Sequence, residues 1–116
     1  MEKKEIIIDN ELDKVSGGSY ANKSERAIGC YHLSGYVPVS QVEVGHRYYF
    51  ADNNHNAWYE SYVTKIYNKK NGCSTSKYYE VEEFVKYVDG KEVSSRRLVT
   101  NYLSDNYTVY KEMIKN

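Results

Sequence analysis

The sequence predicts a mainly β protein: a small, closed antiparallel barrel of about five short strands, with a short helical turn before the last of them. Three observations lead there. Runs dense in Tyr, Val, Ile and Trp recur from residue 44 onward, punctuated by Asp52-Asn53-Asn54-His55-Asn56, Asn71-Gly72 and Asp89-Gly90, which are turn formers. Tyrosine dominates the aromatic residues, 14 Tyr against 2 Phe, and a large side chain with a polar tip suits a thin core whose members reach the surface. At 116 residues, 41% apolar and 28% charged, the chain has material for one modest core and not for a second domain.

The chain divides into three parts: 1–18, 19–41 and 42–116. The first contains no aromatic residue, and all the tyrosines follow it. Ile8, Leu12 and Val15 are spaced four and three apart, which places them on one stripe of a helix. Gly17 stands where a left-handed cap ends such a helix, and acidic residues suit its first turns. So short a segment folds when a partner's groove covers the stripe. Gly17-Gly18 carries no β-carbon and threads extended into a narrow protease cleft that larger residues would block.

Ile7, Glu11, Leu12, Val15, Gly17 and Gly18 resemble the double-glycine leader of bacteriocin-type secreted precursors. In that family an apolar residue precedes a Glu-Leu pair, an aliphatic residue follows and two small residues end the leader; Ile7-Ile8 stands here in place of a common Leu-Ser pair. The resemblance implies that Ile7, Ile8, Glu11, Leu12 and Val15 are recognised by the peptidase domain of an ABC exporter. It also implies that the chain is cut between Gly18 and Ser19 and that the product is secreted from a bacterium. The bland alternative is an amphipathic first helix ended by a glycine cap.

Residues 19–41 read as a flexible or irregular segment, loop with at most one short strand, interrupted by Gly29 and Gly35 and stiffened by Val37-Pro38. Then comes the barrel. Val44 to Ala51 reads as a strand; so does Trp58 to Tyr67, with Trp58, Tyr62 and Ile66 on one face and Tyr59, Val63 and Tyr67 on the other. Lys77 to Val88 follows, with Tyr79, Val81, Val85 and Tyr87 on one face. Ser95 caps a helical turn through Leu103, and Tyr107 to Met113 is the last strand. This order resembles an SH3-like barrel and, more narrowly, a Tudor domain. That resemblance implies a groove or aromatic cage at one barrel end with Tyr49, Tyr59 and Tyr87 as contacts, although Val88 interrupts the expected Tyr-Asp order at Tyr87 and Asp89.

Net charge is zero. Residues 1–18 hold three basic and five acidic side chains, which leaves 13 basic against 11 acidic on the remainder. An excess of two is small for a protein that tracks a phosphate backbone, so no nucleic-acid partner is expected. No run is long enough to span a membrane. If the product is exported, Cys30 and Cys73 are expected to pair, enclosing about 44 residues and contributing roughly 3–4 kcal/mol; in a cytosol they would stay thiols. His32, His46 and His55 lack metal-ligand spacing, no phosphate loop or nucleophile elbow is present, and no cofactor, metal or catalytic residue is expected. The functional expectation is an exported precursor whose β-domain binds an extracellular protein or cell-wall target. The alternative is an intracellular SH3-like or Tudor-like module that binds proteins or peptides.

Overall fold

The computed structural model describes residues 24–116. The leader expected over 1–18, with Ile7, Ile8, Glu11, Leu12, Val15, Gly17 and Gly18, lies outside the described residues, as does Ser19. Seven antiparallel strands form one sheet: β1 (Glu25–Ile28), β2 (Tyr31–Val37), β3 (Arg47–Asp52), β4 (Ala57–Asn71), β5 (Ser74–Val88), β6 (Lys91–Leu103) and β7 (Tyr107–Lys115). Their spatial order is β1-β2-β7-β3-β4-β5-β6, so the last strand sits between β2 and β3.

The mainly β, antiparallel expectation stands, and three details change. The sheet is open: β1 and β6 each have a single neighbour, so no barrel closes. The segment expected to be irregular contributes β1 and β2, because Gly29 falls in the turn between them and Gly35 lies inside β2 at positive φ. The helical turn expected from Ser95 to Leu103 is strand β6, and the turn of helix that leads into β7 is the 3-10 segment Ser104–Asn106; another 3-10 turn, Val39–Gln41, lies between β2 and β3. Gly72 (φ 64°) and the pair Asp89 and Gly90 (φ 47° and 92°) adopt the left-handed conformations that the tight reversals β4–β5 and β5–β6 require.

Two β-bulges decide which side chains go where. β5 pairs Ser61 with Glu83 and Glu60 with Val85, leaving Phe84 as an extra residue; on β4, Thr64 is extra between the pairs Val63–Val81 and Lys65–Glu80. Each extra residue reverses the alternation of its strand. Tyr79 and Val81 therefore join one buried cluster while Val85 and Tyr87 belong to another, although all four share the same parity in the sequence.

The first cluster is built on Phe50, which meets Tyr79 and Tyr102 edge-on with ring centroids 5.4 Å apart in each case. Phe50 is on β3 and Tyr102 on β6, three strands away, so the sheet curls back on itself although its edges do not pair. The second cluster lies on the opposite face around Trp58, which is fully buried. Tyr87 stacks on its ring at 6.2 Å, while Tyr31 and Tyr49 meet it edge-on at 5.0 and 6.0 Å. The β1–β2 hairpin supplies Ile28, Tyr31 and Leu33 as the cover of this face. Edge and offset contacts of this kind contribute about 0.5–1.5 kcal/mol each beyond burial.

Candidate functional site

A cluster of charge and aromatic rings forms where β6 turns into β7. The 3-10 segment Ser104–Asn106 reverses the chain so that Tyr102 and Tyr107 stack, centroids 4.5 Å apart and planes 10° from parallel. Tyr59 of β4 meets both rings edge-on, at 5.8 and 6.0 Å. Beneath this triad lies Glu83, only 2% exposed. Its carboxylate accepts hydrogen bonds from the Tyr102 hydroxyl and from Nε of its cross-strand neighbour Arg97, the latter at 3.0 Å. A buried carboxylate held this way is compensated on both oxygens.

The electrostatics keep the phenols neutral. Burial, and after it the negative charge of Asp52, pushes the Tyr107 hydroxyl up to about 12. The same two causes raise Tyr59, and burial together with the bond to Glu83 raises Tyr102 well above the ordinary tyrosine range. Asp52 is itself nearly buried, accepting from the Asn54 backbone at 2.8 Å and facing His55 Nδ1 at 3.1 Å. The arrangement is two carboxylates, one guanidinium and three protonated phenols. Such a set suits recognition of a polar or cationic group against aromatic faces; no phenol in it is poised to exchange protons near neutral pH.

The tyrosines singled out from sequence do not converge. Tyr49 and Tyr87 flank Trp58, whereas Tyr59 is on the opposite face with Tyr102 and Tyr107. Trp58 and Tyr59 are adjacent in β4, so their side chains must point apart. Tyr102, Tyr107 and Glu83 were not expected at a site. Their signal was present as two tyrosines either side of the polar turn Ser104-Asp105-Asn106.

Grooves open on the surface of the described residues. One of about 280 Å³ runs beside Tyr107, lined by Tyr36, Asn53, Ser104, Asp105 and Thr108 among others. A second, of about 580 Å³, is bordered by Ser40, Gln41, Glu43, His46, Tyr48 and Lys111. Among the described residues no three His, Cys, Asp or Glu side chains gather as a metal site, and no helix is long and apolar enough to cross a membrane.

The expected Cys30–Cys73 bridge is not formed: both cysteines are free and exposed. Cys30 sits in the β1–β2 turn beside Gly29, which packs on Tyr87 near one end of β5, whereas Cys73 is in the turn beyond the other end of that strand. At about 3.3 Å per residue, the stretch of β5 between them spans on the order of 40 Å if straight, against an upper limit of about 7 Å between α-carbons for a disulfide.

No family model, curated protein or solved structure matches the chain.

Proposed function

We propose that the chain is an exported precursor: a peptidase-containing ABC transporter recognises residues 1–18, cuts after Gly18, and releases a β-domain that binds a target outside the cell. The observation that carries this reading is the spacing of Glu11-Leu12, Val15 and Gly17-Gly18 near the N-terminus. A compatible fact is that β1 begins at Glu25, so a cut after Gly18 removes none of the described strands. For the released domain we propose an SH3-like arrangement. It is supported by the consecutive run β7-β3-β4-β5-β6, the 3-10 turn before β7 and the curl of the sheet around Phe50. Tyr59, Tyr102 and Tyr107 over Glu83, with the groove beside Tyr107, are the proposed contact surface.

The test is the intact mass of the protein recovered from medium when it is co-expressed with a double-glycine peptidase transporter. A product that begins at Ser19, lost on Gly18→Val or Leu12→Asp substitution, is the expected result. Full-length chain retained in the cells would favour the second reading, an intracellular protein-binding module. One observation speaks for that alternative: the two exposed thiols suit a reducing compartment.

A further inference from the structure

The zero net charge of the chain hides a strong local excess. Between Lys65 and Lys77 there are four lysines, Lys65, Lys69, Lys70 and Lys77, and no acidic residue. The fold turns this segment into a projection. β3 pairs with β4 only as far as Tyr62, and β6 pairs with β5 only as far as Tyr78, so Asn68–Asn71 and Ser74–Lys77 pair with each other alone. The result is a two-stranded ribbon standing clear of the sheet. Lys69, Lys70 and Lys77 stand on the ribbon and Lys65 at its base, where its cross-strand partner is Glu80; among the described residues none of the four enters an ion pair.

Register distributes these charges around the ribbon. Lys65 and Lys69 share a face with Tyr67 and Tyr78, whose rings stack at 5.7 Å, and their ammonium groups lie over those rings at 5.4 and 5.8 Å. Lys70 and Lys77 belong to the opposite face, because each is one step out of phase with Lys69 and Tyr78. Tyr67 is anchored by donating to Asn101 Oδ1 at 2.7 Å. The other ribbon side chains include Asn68, Asn71, Ser74, Thr75 and Ser76, hydrogen-bonding groups without an apolar residue at the tip.

We propose that the β4–β5 ribbon is a binding arm for a phosphodiester polymer, whose phosphates are contacted by Lys65, Lys69, Lys70 and Lys77. The distribution of charge selects this ligand. A flat anionic membrane reaches only one face of a ribbon and gains from apolar side chains at the tip, which are missing here. A flexible polyanion can follow both faces and exchange its counterions for the lysines. The stacked Tyr67 and Tyr78 rings carry the Lys65 and Lys69 ammonium groups over them and so hold both charges on one face of the ribbon. Phosphodiester chemistry is shared by single-stranded nucleic acid and by polyol-phosphate polymers, and competition between the two distinguishes them. The inference does not depend on cleavage of the leader.

The experiment is fluorescence anisotropy of a labelled oligothymidylate with the full chain. Affinity is expected to fall with salt at a log–log slope of about −2 to −3, the value for three to four phosphate contacts on a single strand. Changing all four lysines to Gln is expected to weaken binding by roughly tenfold or more at low salt, and changing them to Arg to preserve it. The Arg variant separates lost charge from lost structure, and Lys91→Gln with Lys111→Gln serves as an off-ribbon control. Competition by poly(glycerol phosphate) as strong as by oligonucleotide, at equal phosphate, assigns the arm to backbone chemistry alone. Stronger competition by oligonucleotide assigns it to nucleic acid. Binding unchanged in the Gln variant, insensitive to salt, or confined to anionic vesicles overturns the proposal.

Discussion

Gly29 lies so close to Tyr87 that a β-carbon built on it would fall 2.8 Å from Cζ of that ring and closer still to the hydroxyl oxygen. Gly29 is also at φ +61°, in the left-handed region. The ring cannot retreat, because its other contacts are the stacked Trp58 and the edge of Tyr31. Gly29→Ala is therefore expected to destabilise the domain by about 2–4 kcal/mol, combining backbone strain with a steric clash. The midpoint of urea unfolding measures it. A variant as stable as the parent would show that the β1–β2 hairpin does not cover Trp58 in solution.

Trp58 is the single tryptophan of the chain and reports on the same cluster. Its Nε1 is buried and has no hydrogen-bond partner among the described residues. Trp58→Ala is expected to cost about 3–5 kcal/mol as a large cavity opens. Trp58→Phe is expected to cost less than about 2 kcal/mol, since it removes an unpaired buried donor along with the lost volume. Equal losses in calorimetry would contradict this account of the indole.

Much of this packing was legible in the sequence. The runs that became β3, β4, β5 and β7, and the reversals at Asn71-Gly72 and Asp89-Gly90, followed from alternation and turn chemistry. What escaped has physical causes. Phe84 and Thr64 are bulge residues, and a strict period of two cannot reveal an insertion that depends on the partner strand. Hence Ile66 was grouped with Trp58 but packs on the cluster of Val63, and Tyr87 was grouped with Tyr79 but stacks on Trp58. β6 is an edge strand interrupted by its own register shifts, with Asn101 at φ 69°, so Leu98, Val99, Tyr102 and Leu103 imitate a helical spacing. Leu98, which that helix would have turned inward, is 72% exposed. At the candidate site, only Tyr59 was legible, because the stacking of Tyr102 on Tyr107 depends on where β7 enters the sheet.

The bond between Tyr102 and Glu83 involves a charged acceptor in a buried setting. A double-mutant cycle with Tyr102→Phe and Glu83→Gln is expected to give a coupling of about 1.5–3 kcal/mol. Arg97 is half exposed but its partner Glu83 is buried, so Arg97→Ala, which leaves one carboxylate oxygen uncompensated, is expected to cost about 1–3 kcal/mol. Additive losses at Tyr102 and Glu83 would show that the two groups do not share a proton donor and acceptor in solution.

Alkaline pH should weaken the domain in a defined window. Burial raises the hydroxyls of Tyr79 and Tyr107 from 10.0 to about 12. A phenol that holds its proton more tightly when folded contributes stability that is complete below the unfolded value and lost as pH rises through the folded one. The urea midpoint is therefore expected to fall between about pH 10 and 12, in step with a late phase of tyrosinate absorbance. A midpoint constant to the upper end of that range would contradict the burial of these hydroxyls.

The two exposed cysteines give a simple chemical readout. The native protein, purified without reductant, is expected to react with a maleimide at both Cys30 and Cys73. Cys30→Ser and Cys73→Ser should each change stability by less than about 0.5 kcal/mol, as for exposed sites without buried partners. A loss of about 3 kcal/mol in either variant would indicate a bridge after all.

The place of β7 sets an order of events in folding. Tyr110 faces Tyr36 of β2 on one side and Tyr49 of β3 on the other, so this last strand is the seam that joins the β1–β2 hairpin to the β3–β6 meander. The meander is local and can pair as it leaves the ribosome, but the hairpin has no strand beside it until β7 has been made. Assembly of the sheet thus waits on contacts that are distant along the chain, the kind that slow folding most. The sheet becomes continuous only when the last strand to be synthesised is inserted between two others.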